Sequence, residues 1–290
     1  MMKWATFTRP DGQTGFGPLT ADRVCDLTGP AAAQGIRDLL DLVRHFPDLP
    51  IEDWQAAGES FDLAAVSLQA PFPRALRNVI CLGKNYKEHV NEIKSLIDMP
   101  MDKPDYPIYF SKMVSRFTGP QDPVHISGGA TAEADYEVEL ALIIGKEGKD
   151  IAPEAAWDHI FGYTVGNDYS ARDLQTAHRQ WFHGKSLDGF CALGPVIVSR
   201  DDLPTPPALA IESFVNGDRR QHGRTDELIF DIPSILADFS RGTTLLPGDI
   251  ILTGTPAGVG AGFDPPKFLQ PGDEVISRIE GIGELRNTMV

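Results

Sequence analysis

Long apolar runs are missing from this chain. No stretch approaches the ~18 consecutive apolar residues that cross a bilayer as a helix, and no signal-peptide core follows Met1. The expected compartment is therefore the cytoplasm. Cysteine is scarce: Cys25, Cys81 and Cys191 are an odd set without metal-type spacing, which argues against a disulfide framework and fits a reducing environment. Positive charge is short too, with 26 Lys and Arg against 41 Asp and Glu and a net charge of −15. That balance argues against nucleic acid as the main partner and does not favour an anionic membrane surface. It leaves an anionic small substrate open, because a cation and a few local Lys or Arg invert the field inside a pocket. Two catalytic signatures are also absent. No Gly-x-Ser-x-Gly occurs, and the glycine-rich Gly254–Gly260 lacks the Gly-Lys-Ser/Thr ending of a phosphate loop.

What is present reads as an ordinary globular protein, 42% apolar and 23% charged over 290 residues, long enough for a sizeable core. A small α+β unit is expected over 1–72, with a strand in Met1–Arg9, a hairpin-like turn at Gly12–Gly17, a short strand Val24–Leu27 and a helix in Asp38–Phe46. Pro71-Phe-Pro-Arg74 disfavours helix and marks the connection to a catalytic unit over 73–290. There, many short strands alternate with Gly/Pro turns and a few helices. Asn216-Gly217 between Ile211–Val215 and Arg219–His222 predicts a type I′ hairpin. Pro247-Gly-Asp249 and Pro271-Gly-Asp273 each launch a strand, and helices are expected over Pro153–Ile160 and Asp231–Phe239. The fold class is a β-rich α+β domain.

The most informative stretch is Asp135-Tyr-Glu-Val-Glu-Leu-Ala-Leu-Ile-Ile-Gly145. As a strand it puts Tyr136, Val138, Leu140, Leu142 and Ile144 on one face, and Glu137, Glu139 and Ala141 on the other. The two carboxylates then project together, roughly 6–7 Å apart at their α-carbons. Like charges so placed need a counter-charge, and a divalent cation with hard oxygen ligands is the simplest. A solvated strand edge is the competing reading. Three further features carry alternatives of the same kind. In a helix within Lys84–Lys94, His89 and Glu92 stand at i, i+3 and form either a base relay or an incidental surface pair. Asp168, at a strand end, is a cation ligand or a turn cap, and Lys185, from a Gly-flanked turn, is a pocket or a surface lysine.

Taken in order, these pieces resemble the fumarylacetoacetate hydrolase superfamily across Val79–Val290. The segments are Gly83-Lys-Asn-Tyr-x-x-His89, Asp135-Tyr-Glu-Val-Glu139, Gly162-Tyr-Thr-Val-Gly-Asn-Asp-Tyr-Ser-Ala-Arg-Asp-Leu-Gln175, Gly184-Lys-Ser-Leu-Asp188 and Asp249-Ile-Ile-Leu-Thr-Gly-Thr-Pro-Ala-Gly-Val-Gly260. The last continues to Pro271-Gly-Asp273 and Ile279–Leu285. The resemblance implies a mixed β-sandwich roll with a small N-terminal domain, a homodimer, and one Mg²⁺ or Mn²⁺ held by Glu137, Glu139 and Asp168. It implies a catalytic His89–Glu92 dyad with Lys185 in the pocket, and Lys84, Asn85, Gln175 and Thr255 at substrate-contacting positions. Two departures bear on pocket shape: Gly166-Asn-Asp-Tyr169 stands for the more usual Ala-Asn-Asp-Val, and Leu187 and Ala192 replace a common Phe and Pro.

The activity so implied is hydrolysis of a C–C bond in a 2,4-dioxo acid such as an acylpyruvate. Glu92 would orient His89 to deprotonate a water, and the cation and Lys185 would stabilise the departing pyruvate enolate. The same machinery without the water step allows oxaloacetate decarboxylation, or tautomerisation, isomerisation, hydration or lyase chemistry on a 2-oxo acid. A scaffold protein that lost turnover is a third reading, disfavoured because His89 and Glu92 are both present.

Overall fold

Alternation decides the centre of the fold. All seven residues of the strand Val138–Ile144 are buried. Leu140, Leu142 and Ile144 enter one apolar cluster, and Ala141 and Ile143 enter another on the opposite face. A strand covered on both sides cannot be a solvated edge, and Glu139 on it and Glu137 just before it are inside the protein. The structure is a computed structural model that describes residues 2–92, 104–126 and 129–290.

Val138–Ile144 lies between Ile160–Asp168 and Ile250–Leu252, antiparallel to both. Beyond Ile160–Asp168 follow Cys191–Ser199, Lys3–Thr8, Thr14–Leu19, Arg23–Asp26 and Glu59–Asp62. Beyond Ile250–Leu252 follow Val79–Gly83 and Ile108–Lys112, and Ser67–Leu68 pairs with Lys3–Thr8 to complete an 11-stranded sheet. Its ladders are antiparallel except the parallel pairing of Ile250–Leu252 with Val79–Gly83. A five-stranded sheet runs Asp218–Arg224, Ala210–Val215, Glu274–Ile279, Gly283–Met289, Pro123–Val124. Ile211, Val215, Val275, Ile279 and Leu285 from this second sheet pack with Leu140 and Leu142 of the first. The result is a sheet-rich α+β fold with mixed sheets and few helices, as the turn spacing predicts.

Local signals account for the details. Asn216 (φ 52°) and Gly217 (φ 83°) take the left-handed geometry of a type I′ hairpin. Asp38 caps the helix Leu39–His45 by accepting from the Asp41 amide at 2.8 Å, and Asp231 caps Ile232–Ser240 by accepting from the Ser234 amide at 2.9 Å. Two expectations shift. Pro153–His159 forms a 3₁₀ helix rather than an α-helix. The helix expected within Lys84–Lys94 begins at Lys87, because Lys84 sits at φ 59° and Tyr86 makes a β-bridge to Leu228. The expected helix residues past Glu92 lie outside the described residues.

The N-terminal strands join the same large sheet, with Lys3 opposite Val198 and Trp4 opposite Ile197. Trp4, Phe16, Leu39, Leu42 and Val43 are buried with Ala141, Ile143, Leu193 and Ile197. The first 72 residues thus cover the back of the carboxylate strand. Trp4 Nε1 donates to Ser199 Oγ at 3.1 Å across this seam. Trp4→Phe is expected to cost about 1–2 kcal/mol in urea unfolding, from one lost hydrogen bond and some lost packing. An unchanged midpoint would show that the seam does not contribute. No helix among the described residues is long and apolar enough to cross a membrane.

Candidate metal and active site

The register of two strands assembles the site. Asn167 stands opposite Val138 and Gly166 opposite Glu139. Just beyond the ladder, the Asp168 amide donates to the Glu137 carbonyl at 2.9 Å, and the Glu137 amide to Asn167 Oδ1 at 3.0 Å. Buried amide side chains brace this corner against the second sheet. Asn167 Nδ2 donates to Ser277 Oγ at 2.9 Å, and Gln221 Oε1 accepts from the Val138 amide at 3.0 Å. The backbone carrying the carboxylates is therefore fixed on both sides.

Glu137, Glu139 and Asp168 converge there, each offering an oxygen within 4.8 Å of the others, and none is more than 5% exposed. Three cationic side chains surround them. Lys185 Nζ lies 2.7 Å from both Glu137 Oε2 and Asp168 Oδ2. Lys112, wholly buried, donates to Asp168 Oδ1 and, at 2.9 Å, to the Tyr169 carbonyl. Arg172 ion-pairs with Glu137 at 2.7 Å and with Asp135 at 2.9 Å. Glu139 has no cationic partner among the described residues; its Oε2 accepts from the Gly254 amide at 2.6 Å.

This distribution sets the proton affinities. Burial, then the charges of Asp168 and Glu137, push the Glu139 carboxyl well above the usual range. Burial also acts upward at Glu137, but Lys185 and then Arg172 outweigh it and hold that carboxyl low. Burial works against the Lys185 ammonium, while Asp168 and Glu137 more than restore it. Four buried carboxylates, counting Asp135, thus face three cations. The cluster is short of positive charge at Glu139. Three convergent carboxylate oxygens with such a deficit fit a hard divalent cation, and Glu137, Glu139 and Asp168 would hold it.

His89 is 5% exposed and its Nδ1 lies 3.2 Å from Glu92 Oε2. Glu92 Oε1 in turn accepts from the Gly258 amide at 2.9 Å. His89 is buried and Glu92 half-buried, so the pair is not an incidental surface contact. If Nδ1–H donates to the carboxylate, Nε2 is left with the lone pair. Lys185 ends the single helical turn Phe182–Lys185 and packs its Nζ 5.1 Å from the Phe110 ring centroid. Phe110 meets Trp181 edge-on at 5.3 Å, and Lys84 Nζ lies 5.6 Å from the Trp181 ring. Gln175, on the helix Arg172–Ala177, accepts from Arg172 at 3.0 Å. Asn85 and Thr255 are engaged with the framework. Asn85 Nδ2 donates to the carbonyls of Phe230 and Thr253, at 3.1 and 2.8 Å. Thr255 donates to the Val138 carbonyl at 2.9 Å and accepts from Gln221 at 2.6 Å. Of the sequence departures, Tyr169 is buried against Phe190 with its hydroxyl 3.3 Å from Asn287, and Ala192 stands opposite Asn167 in the sheet.

Sequence reasoning assigned no role to Lys112, Arg172 or Asp135. The available signals were a charged residue closing the apolar strand Ile108–Lys112, an arginine four residues after Asp168, and an acid leading the Glu137–Glu139 strand.

A family model described as the fumarylacetoacetate (FAA) hydrolase C-terminal domain matches residues 78–290. The chain is 47% identical over 227 residues to the oxaloacetate tautomerase YisK of Bacillus subtilis, covering 78% of this chain and 74% of that protein. It is 38% identical over 272 residues to the mitochondrial oxaloacetate tautomerase fahd2 of Xenopus laevis, covering 87% and 83%. A solved structure of a fumarylacetoacetate hydrolase from Exiguobacterium antarcticum superposes with a TM-score of 0.87 at 41% identity, over 100% of this chain and 99% of that one.

Proposed function

The chain belongs to the fumarylacetoacetate hydrolase family, and from that premise we propose that it catalyses keto–enol tautomerisation of a short 2-oxo dicarboxylate, oxaloacetate being the first to test. The observation that carries the reading is a buried carboxylate cluster short of positive charge, set beside an imidazole whose orientation a carboxylate fixes. Similarity to relatives named as oxaloacetate tautomerases supports reading tautomerisation ahead of C–C hydrolysis, which the sequence motifs alone put first.

Tautomerisation moves one proton between carbon 3 and the oxygen on carbon 2, with no bond to carbon or oxygen otherwise broken. His89, held by Glu92, takes the proton from one position and returns it to the other. A bound divalent cation, Mg²⁺ or Mn²⁺, would supply Lewis-acid stabilisation of negative charge on the 2-oxo oxygen. Lys185, Lys112 and Arg172 offset three of the four buried carboxylates, so that a bound divalent cation would leave the site net positive for an anionic substrate. Lys84, whose Nζ lies 5.6 Å from the Trp181 ring centroid, is the proposed partner for the distal carboxylate.

C–C hydrolysis is the second reading, favoured by whole-chain similarity to a solved fumarylacetoacetate hydrolase. It requires the same base to activate a water. The test follows enol absorbance after oxaloacetate is diluted into buffer, with metal-loaded and chelator-stripped protein, while pyruvate is assayed separately. Metal-dependent acceleration without pyruvate is expected. Unaccelerated enol decay, together with metal-dependent release of pyruvate and acetate from acetylpyruvate, would replace tautomerisation by hydrolysis.

A further inference from the structure

Asp135 is fully buried, and both its oxygens are saturated by groups from different parts of the chain. Oδ1 accepts from the amides of Tyr136 at 2.8 Å and Gly260 at 2.6 Å. Oδ2 accepts from the Ala261 amide and from Arg172 Nε, both at 2.9 Å. A buried carboxylate so placed is expensive to keep unless all its partners stay in position. Its two sides lead to different halves of the site.

On one side, Arg172 carries the contact to Glu137, 2.7 Å away. On the other side is the loop 258–262. Its Gly258 amide donates to Glu92, and Gly258 adopts φ +109°, where a side chain would also run into the Arg220 carbonyl. Gly262 makes the seat for Glu92: a Cβ there would fall 2.2 Å from Glu92 Cδ. Glycines at both ends of this loop therefore let it receive the Glu92 carboxylate while Asp135 grips the amides of Gly260 and Ala261 between them.

We propose that Asp135 is a positioning residue that holds the carboxylate cluster and the His89–Glu92 pair in one frame, through Arg172 to Glu137 and through the glycine loop to Glu92. The inference rests on the functional reading above for the roles of those two ends. Its physical content is mutual placement: a shift of Arg172 moves a candidate cation ligand, and a shift of the loop moves the base. Without Asp135 this link between the two ends is lost.

The test is Asp135→Asn, which keeps the shape, removes the charge and turns one acceptor into a donor facing N–H groups. Mn²⁺ affinity by calorimetry, kcat for enol oxaloacetate, and amide exchange over 258–261 and the Glu92 helix are read on the full-length protein. Expected are losses of about 10–100-fold in both Mn²⁺ affinity and kcat, with faster exchange at the loop and the Glu92 helix together. Gly262→Ala displaces Glu92 alone, and is expected to lower kcat and leave Mn²⁺ affinity unchanged. If Asp135→Asn fails to fold, Arg172→Lys keeps the charge but loses the planar fork, and is expected to weaken Mn²⁺ binding and loosen Gly260 and Ala261. An Asp135→Asn protein that behaves like Gly262→Ala overturns the proposal, because Asp135 would then merely support the loop. So would Arg172→Lys with unchanged loop exchange. Metal affinity and exchange are read without substrate, so a wrong substrate assignment shows as a wild type that binds Mn²⁺ normally and leaves oxaloacetate alone.

Discussion

Replacing His89 by alanine is expected to reduce turnover of enol oxaloacetate by about 10²–10⁴-fold, after subtraction of the uncatalysed rate, the usual contribution of a positioned general base. The expectation comes from geometry. His89 is nearly inaccessible, its Nδ1 is committed to Glu92, and Glu92 is itself held by the Gly258 amide. A buried imidazole fixed in this way does not sample other orientations, so its Nε2 is available as a base without further ordering cost. His89 is not among the three convergent carboxylate ligands, so Mn²⁺ affinity measured by calorimetry should be unchanged. Glu92→Gln keeps the side chain in its seat but weakens the hold on the tautomer, and a smaller loss is expected. Wild-type turnover in His89→Ala would remove the base from the mechanism. A parallel fall in Mn²⁺ affinity and turnover would mean that His89 helps hold the cation, and the division of roles would have to be redrawn.

What was legible in the sequence is what depends on short-range order. Period-2 alternation puts Glu137 and Glu139 on one side of an extended segment, although the paired strand itself begins only at Val138, and helical spacing puts His89 next to Glu92. The Asn216-Gly217 hairpin and the Pro-Gly-Asp turns follow from backbone preferences of two or three residues, and they occur where expected. Alternation does not say whether a strand is covered. Glu-x-Glu on a sheet edge and Glu-x-Glu inside a sandwich share one pattern, and only the apolar residues on both faces of Val138–Ile144 separate them.

The charges that complete the cluster belong to the other category. Lys112 lies 56 residues before its partner Asp168, and nothing in the intervening sequence specifies that their strands end at the same depth. Trp4 reaches Ser199 across 195 residues, so the attachment of the N-terminal strands to the carboxylate sheet has no local signature. Polar residues in shared motifs also divide in a way sequence does not disclose. Asn85 and Thr255 direct their hydrogen bonds to backbone groups that shape the site, whereas Lys185 directs its ammonium at the carboxylates. A motif names the residues around a site, and the hydrogen-bond partners decide which of them are walls.

Lys112→Met is expected to destabilise the metal-free protein by about 3–5 kcal/mol, the usual consequence of removing one partner of a buried ion pair. Methionine fills much the same volume, so the loss reports charge rather than a cavity. Asp168 retains Lys185, 2.7 Å away, which argues for the lower end of that range. The informative comparison is with metal. Without Lys112 the cluster is one charge more negative, and a divalent cation gains from the difference. Mn²⁺ should therefore bind the variant more tightly than the wild type and raise its unfolding free energy by a larger increment, about 1.4 kcal/mol for each tenfold gain in affinity at saturation. Urea unfolding of both proteins in chelator and in excess Mn²⁺ supplies the four values needed. Equal destabilisation with and without Mn²⁺ would show that Lys112 and the cation do not share Asp168. Weaker Mn²⁺ binding would show instead that the lysine aims the Asp168 carboxylate, so that orientation, not charge, is its contribution to the site.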